Sequence, residues 1–98
     1  MSGIAITKKE KTFILTTIRR FFPSASIFFF GSRVRGNHKA YSDLDICLDI
    51  GERLNLVQLS KLNEVFTESD LPYKIDISDW HRITQDFQNL ISSECIRG

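Results

Sequence analysis

The sequence predicts an α+β fold, a small β-sheet packed by helices, with elements in the order αβ(turn)βαβα. Three observations predict it. Apolar residues recur at threes and fours in three separate segments, which is the period of an amphipathic helix. Short stretches rich in β-formers stand between those segments, and two of them alternate apolar and polar residues with the period of a strand. Proline and glycine fall at the boundaries, where the chain must stop one element and begin another.

The first helix opens at Thr7-Lys-Lys-Glu10, a capping box in which the Thr hydroxyl and the Glu carboxylate close the first turn, and Ile14, Ile18, Phe21 and Phe22 follow at helical spacing. Pro23 ends it. Residues 25–30 form a short apolar run bounded by Pro23-Ser24 and Gly31, and Phe28-Phe29-Phe30 within it predicts a central strand buried on both faces. In residues 43–49, Leu44, Ile46 and Leu48 alternate with Asp43, Asp45, Cys47 and Asp49, so the strand buries one face and the two early aspartates share the other. Leu56, Leu59, Leu62, Val65 and Phe66 mark a second helix over about 55–68, closed by Leu71-Pro72. Residues 73–78 alternate again, with Lys74, Asp76 and Ser78 on the polar face. A last helix, from about 79 or 80 to 95, carries Ile83, Phe87, Leu90 and Ile91.

Ninety-eight residues make one domain over 1–98 with one modest core. Apolar residues at 42% and charged residues at 26% are ordinary for a folded domain, and a net charge of +1 supplies no field able to hold a polyanion, so nucleic acid is not expected as the main partner. The N-terminal stretch has no apolar secretory core and no run reaches the ~18 apolar residues of a membrane span, so no membrane partner and a cytoplasmic location are expected. Cys47 and Cys95 are expected reduced and half-buried, without a neighbouring base to make either a nucleophile.

The stretch "FFFGSRVRGNHKAYSDLDICLD" carries the chemistry. Side chains two apart on a strand lie roughly 6.5–7 Å from each other on one face, and carboxylates so placed repel unless both reach one hard divalent cation. Mg²⁺ suits such a pair, since it takes a few carboxylates, waters and phosphate oxygens. Asp76 adds a third carboxylate if its strand is a neighbour. A solvated strand face would explain an isolated Asp-x-Asp, but here a Gly-Ser turn precedes the pair. Gly31 lets the backbone approach a ligand, and the Ser32 hydroxyl with the N–H groups after it suits phosphate oxygens. Arg33 and Arg35 either add forks of phosphate geometry or are simply exposed basic residues. His38 and His81 are expected in solvent, Trp80 either in packing or stacked on a base or partner, Tyr41 close enough in sequence to flank the nucleotide, and Asp49 too far along its strand to share a metal.

Gly31-Ser32, ten residues, then Asp43-Leu44-Asp45 resembles the signature of the DNA polymerase β-like nucleotidyltransferase superfamily, and the tight "GSRVRG…SDLDICLD" form is similar to its minimal nucleotidyltransferase (MNT) branch. The resemblance covers essentially the whole chain, with Asp76 of "YKIDISDW" where the third family carboxylate falls. It implies a small mixed sheet, two Mg²⁺ ions held by Asp43, Asp45 and Asp76, ATP as substrate with its β- and γ-phosphates on Gly31 and Ser32, and an acceptor hydroxyl whose deprotonation Asp76 favours. Larger members carry an extra domain for the acceptor; here a partner would bring it. Members of the minimal branch are antitoxins paired with a helical HEPN ribonuclease toxin, which they neutralise by transferring AMP to a tyrosine. Two alternatives stay open: an antitoxin acting by binding alone, and an adenylyltransferase for a small molecule such as an aminoglycoside, whose acceptor pocket would need a homo-oligomer or a second subunit.

Overall fold

The computed structural model describes residues 3–98; Met1 and Ser2 lie outside them. Helix α1 (Lys8–Phe21) begins at the expected capping box: the Thr7 N–H donates to Glu10 Oε1 at 2.9 Å and the Glu10 N–H to Thr7 Oγ1 at 3.0 Å. Then come strand β1 (Ser26–Phe30), the one-turn helix α2 (Ser32–Arg35), strand β2 (Leu44–Asp49), helix α3 (Leu56–Thr67), strand β3 (Ile75–Asp79), helix α4 (Gln85–Glu94) and the two-residue strand β4 (Ile96–Arg97). The Asn55 side chain caps α3 by accepting from the Val57 and Gln58 N–H groups.

The strands form one mixed sheet in the order β3-β2-β1-β4, confirming the expected α+β class. β1 runs antiparallel to β2 and β4, whereas β2 and β3, joined through α3, run parallel. A parallel pair needs a long crossover, and the α3 segment supplies it. One sheet face holds the main core: Ile27, Phe29, Leu44, Ile46, Leu48 and Ile75 pack against Ile14 and Ile18 of α1 and Leu62 and Phe66 of α3. The other face holds a smaller cluster of Phe30, Cys47 and Ile91, with Phe28, Trp80, Phe87 and Cys95 packed beside it under α4.

Three features differ from expectation, each for a local reason. The Asp43–Asp49 alternation predicts one buried face, yet Cys47 on the other face is fully buried because α4 covers it. Strand β3 starts at Ile75, where its parallel pairing with Leu44 begins, so Tyr73 lies outside the ladder. Helix α4 starts late, with Thr84 as its cap, because the chain first turns around Asp79. That buried carboxylate accepts from the Leu54 N–H at 2.8 Å, the His81 N–H at 3.0 Å and Arg82 Nε at 2.9 Å, clipping the end of β3 to the loop that leads into α3.

Asp79→Ala leaves the buried Leu54 N–H without its acceptor and frees Arg82. It is expected to lower unfolding stability by about 2–4 kcal/mol, with Asp79→Asn intermediate, as read from urea denaturation midpoints. A midpoint unchanged in the alanine variant would show that the clip carries no stability.

Candidate active site

The site lies where β1 ends and β2 and β3 begin. In the sheet register Asp45 stands opposite Phe30 on one side and Asp76 on the other. The parallel pairing of β2 and β3 therefore makes Asp45 and Asp76 cross-strand neighbours, the juxtaposition their sequence alternation left conditional. Asp43 is exposed, one residue before β2, and Asp76 is exposed on β3, a strand at the end of the sheet. Gly31, immediately after β1, turns over the Asp45 carboxylate with φ 85° and ψ −161°, a backbone conformation that is essentially confined to glycine. A Cβ at position 31 would stand 2.0 Å from Asp45 Oδ2. The glycine is thus required by an internal contact, the approach of its own chain to a site carboxylate.

Electrostatics follow from this crowding. Burial, with Asp76 and then Asp43 beside it, pushes the Asp45 carboxyl up to about 6, against a downward pull from Arg35. Like charges held together in this way favour a proton or a cation. The donor set is all carboxylate oxygen, which fits a hard ion such as Mg²⁺. Among the described residues no three acidic, histidine or cysteine side chains are already gathered closely enough to hold an ion by themselves. Mg²⁺ does not need such a cage, since it is commonly bound by one or two carboxylates and completes its shell with water and phosphate oxygens.

Ser32 is half-buried at the start of α2 and Arg35 is exposed near its end, on the side of the carboxylates. Arg33 requires a correction. Its side chain is buried and donates through Nε to the Ser42 carbonyl at 2.9 Å, through Nη1 to Ala5 at 2.7 Å and through Nη2 to Ala40 at 3.0 Å, while its guanidinium lies 4.2 Å from the centre of the Tyr73 ring. Buried, and with each of its three nitrogens bonded to a backbone carbonyl, it is no phosphate fork. Residues two apart on a helix point roughly 200° apart, so of two arginines at this spacing only one can face the site.

Glu94 escapes the sequence reading. Both its oxygens accept from Arg35 Nη1 at 3.0 Å, and Oε1 lies 3.4 Å from the Gly31 N. Nothing local to "SSECIRG" marks it; the packing of α4 against the sheet brings it in. The other residues have surroundings of their own. Asp49 pairs with His81 at 2.8 Å, Trp80 packs 6.2 Å from Phe28, Tyr41 is 86% exposed, and His38 is half-buried near Arg33 and Tyr73. Burial pushes the Cys47 thiol up to about 12, so it is no nucleophile, and both cysteines are free thiols.

A glycine turn set on strand carboxylates, with a serine and an arginine behind it, has the chemistry to hold a metal and a triphosphate, and the comparisons give the family of the chain. The nucleotidyltransferase domain family model matches residues 13–97. The chain is 37% identical over 86 residues, 88% of its length and 75% of the relative's, to the probable protein adenylyltransferase MntA of Haemophilus influenzae. Among solved structures it is similar in fold to a toxin–antitoxin crystallised with AMP-PNP (TM-score 0.76, 21% identity, 93% of this chain and 72% of that one). A mutant MntA–HpeT toxin–antitoxin structure gives a TM-score of 0.75 at 20% identity, covering 95% of this chain and 72% of that one. The chain belongs to the nucleotidyltransferase domain family and is an enzyme of that class, of the minimal kind represented by MntA.

Two measurements probe this geometry. Gly31→Val forces a branched side chain into the Asp45 carboxylate and should abolish measurable ATP binding in calorimetry. Ser32→Ala should weaken it only by the value of one hydrogen bond, roughly 0.5–1.5 kcal/mol, or up to about 3 to a charged partner; equal losses would remove the steric argument. The second probe is pH. The Asp45 carboxyl titrates higher folded than in the unfolded chain, so its unfavourable charge is absent below about pH 4 and fully present above about pH 6. Asp45→Asn should therefore raise the melting temperature at pH 7–8, and the gain should fade as pH falls through 6 toward 4. A gain independent of pH would contradict the assignment.

Proposed function

We propose that the chain transfers AMP from Mg²⁺–ATP to a tyrosine hydroxyl of a HEPN-type ribonuclease toxin in the cytoplasm, and so neutralises that toxin as its antitoxin. The observation that carries this reading is the cross-strand pair Asp45–Asp76 beneath the Gly31 turn, with Asp43 beside it. Kinship with MntA, a probable protein adenylyltransferase, supports the reaction, and the fold shared with toxin–antitoxin structures supports the kind of partner. The likeness of "GSRVRG…SDLDICLD" to the minimal branch supports HEPN as the partner's class. Among the described residues no helix is long and apolar enough to cross a membrane, which is consistent with a cytoplasmic pair.

The roles follow from position. Gly31 and Ser32 bind the β- and γ-phosphates, and Arg35 adds a charge-assisted donor. Asp43 and Asp45 would hold Mg²⁺ with the triphosphate, and Asp76 would complete the site for a second ion. Bound there, the ions supply the positive charge that phosphate and acceptor oxygens need during an in-line displacement. The tyrosine oxygen attacks the α-phosphorus, the bond from that phosphorus to the β-phosphate bridging oxygen breaks, and pyrophosphate leaves. A phenol has a pKa of about 10 and is largely protonated at neutral pH. Asp76, exposed and on an end strand, faces the side from which an acceptor can come and favours loss of that proton. An open cleft of about 490 Å³ lined by Phe66, Thr67, Leu71, Lys74 and Asp76 runs along that side.

The direct test is incubation with α-labelled ATP, Mg²⁺ and a cognate HEPN-type protein, sought first in the reading frame beside this one. Label should appear on a toxin tyrosine with release of pyrophosphate; neutralisation without label would make the chain an antitoxin that acts by binding. Asp76→Asn separates the steps. Its ATP dissociation constant should stay within a few-fold of wild type, while single-turnover transfer at saturating ATP slows by on the order of 10²-fold or more. A wild-type transfer rate would return Asp76 to an ordinary exposed strand residue.

A further inference from the structure

Glu94, the last residue of α4, already holds the donors assigned above to phosphate. Its carboxylate takes Arg35 Nη1 with both oxygens at 3.0 Å and stands 3.4 Å from the Gly31 N. The side chain is 15% exposed, against 47% for Arg35, so the acid is the more enclosed partner of the pair. A guanidinium and a backbone N–H make up the donor set that phosphate oxygens use. An incoming polyphosphate meets Glu94 as a competitor for both donors and as a further negative charge beside Asp45. The backbone around Glu94 is held on both sides. Ile91 is buried in the α4 cluster and its carbonyl accepts the Cys95 N–H, and after Cys95 the chain pairs with β1 as β4. Only the side chain is placed to swing away.

We propose that Glu94 is an internal occupant of the phosphate subsite, displaced by the nucleotide, and that it therefore sets the affinity for triphosphate over nucleotides with a shorter phosphate chain. This rests on the reading that Gly31 and Arg35 bind the β- and γ-phosphates. A role in merely positioning Arg35 predicts the opposite sign, because removing the anchor would then weaken binding.

Calorimetry with ATP, inorganic tripolyphosphate and AMP in Mg²⁺ buffer decides, using Glu94→Gln, Glu94→Ala, Arg35→Ala and the double variant Arg35→Ala/Glu94→Gln. Glu94→Gln keeps the shape of the native side chain and one acceptor oxygen while losing the charge and the second acceptor, so it remains informative if the alanine variant folds poorly. Both Glu94 variants should bind ATP and tripolyphosphate roughly three- to tenfold more tightly than wild type, the range of one partly exposed ion pair plus a removed repulsion. AMP, which lacks the β- and γ-phosphates, should bind unchanged, and the gain should shrink in the Arg35→Ala background to the part that the removed repulsion supplies. ATP affinity equal to or weaker than wild type in Glu94→Gln overturns the proposal. Wild-type affinity in Arg35→Ala would instead overturn the phosphate reading beneath it, whereas a loss in Arg35→Ala without a gain in the Glu94 variants sinks only the role of Glu94.

Discussion

A buried guanidinium organises the approach to the site. Arg33 is 6% exposed and forms no salt bridge among the described residues; its charge is met by the carbonyls of Ala5, Ala40 and Ser42 and by the face of Tyr73. Arginine cannot shed its proton, so these acceptors are obligatory. Their places in the chain explain the consequence. Ala40 and Ser42 belong to the irregular loop that delivers Asp43, and Ala5 belongs to the segment before α1, whose N–H in turn donates to the Arg33 carbonyl at 2.9 Å. Beneath the guanidinium, the Tyr73 hydroxyl donates to Glu10 Oε1 at 3.1 Å, the oxygen that also closes the α1 capping box. Burial and then the Glu10 charge push the Tyr73 hydroxyl upward, so it stays a donor. One continuous polar network thus runs from the first turn of α1 to the residue before Asp43.

This ordering is needed because the site opposes its own formation. Asp43, Asp45, Asp76 and Glu94 stand around Arg35, the one cation among the described residues that pulls the Asp45 carboxyl down, and each of the other three acids raises that carboxyl. Such a cluster does not assemble for its own sake. It is held by strand pairing on both sides of β2 and by the main core, which fixes Leu44 and Ile46, the residues that alternate with Asp45. The packed face of the sheet carries the stability that the open face gives up, a usual arrangement where function demands crowded charge.

Local rules explain what was legible in the sequence. The capping box of α1, the alternation of β2, the Asn55-capped helix α3 and the Gly-Ser turn before paired aspartates are all written within a few residues. What was not legible depends on distant partners. Whether Asp76 joins Asp45 is decided by the parallel register, and whether Arg33 or Arg35 faces the site is decided by the single turn of α2. Strand β4 is too short to leave a period, and α4 is delayed by the Asp79 clip, whose Leu54 N–H donor lies in another loop. Glu94 is the extreme case, a site residue contributed by the end of the last helix. Even the glycine was legible only in part. Its residue type shows in the motif, but the group that comes within van der Waals reach of it is the Asp45 carboxylate.

Helix α4 connects these features. Over one half of its sheet face it completes a dry cluster, with Phe30 against Phe87 at 5.7 Å and Cys47 fully buried. Over the other half it ends, leaving Asp45 half-buried at the edge of that cover. A carboxylate fully under the helix would be neutral throughout the physiological range, and one fully in water would titrate near 4 and gain little from a cation. Set at the margin of the cluster, Asp45 is desolvated enough to favour a bound cation and exposed enough to meet one. The length of α4 thus fixes both the position of Glu94 and the extent of the apolar cover, and with them the electrostatic character of the site.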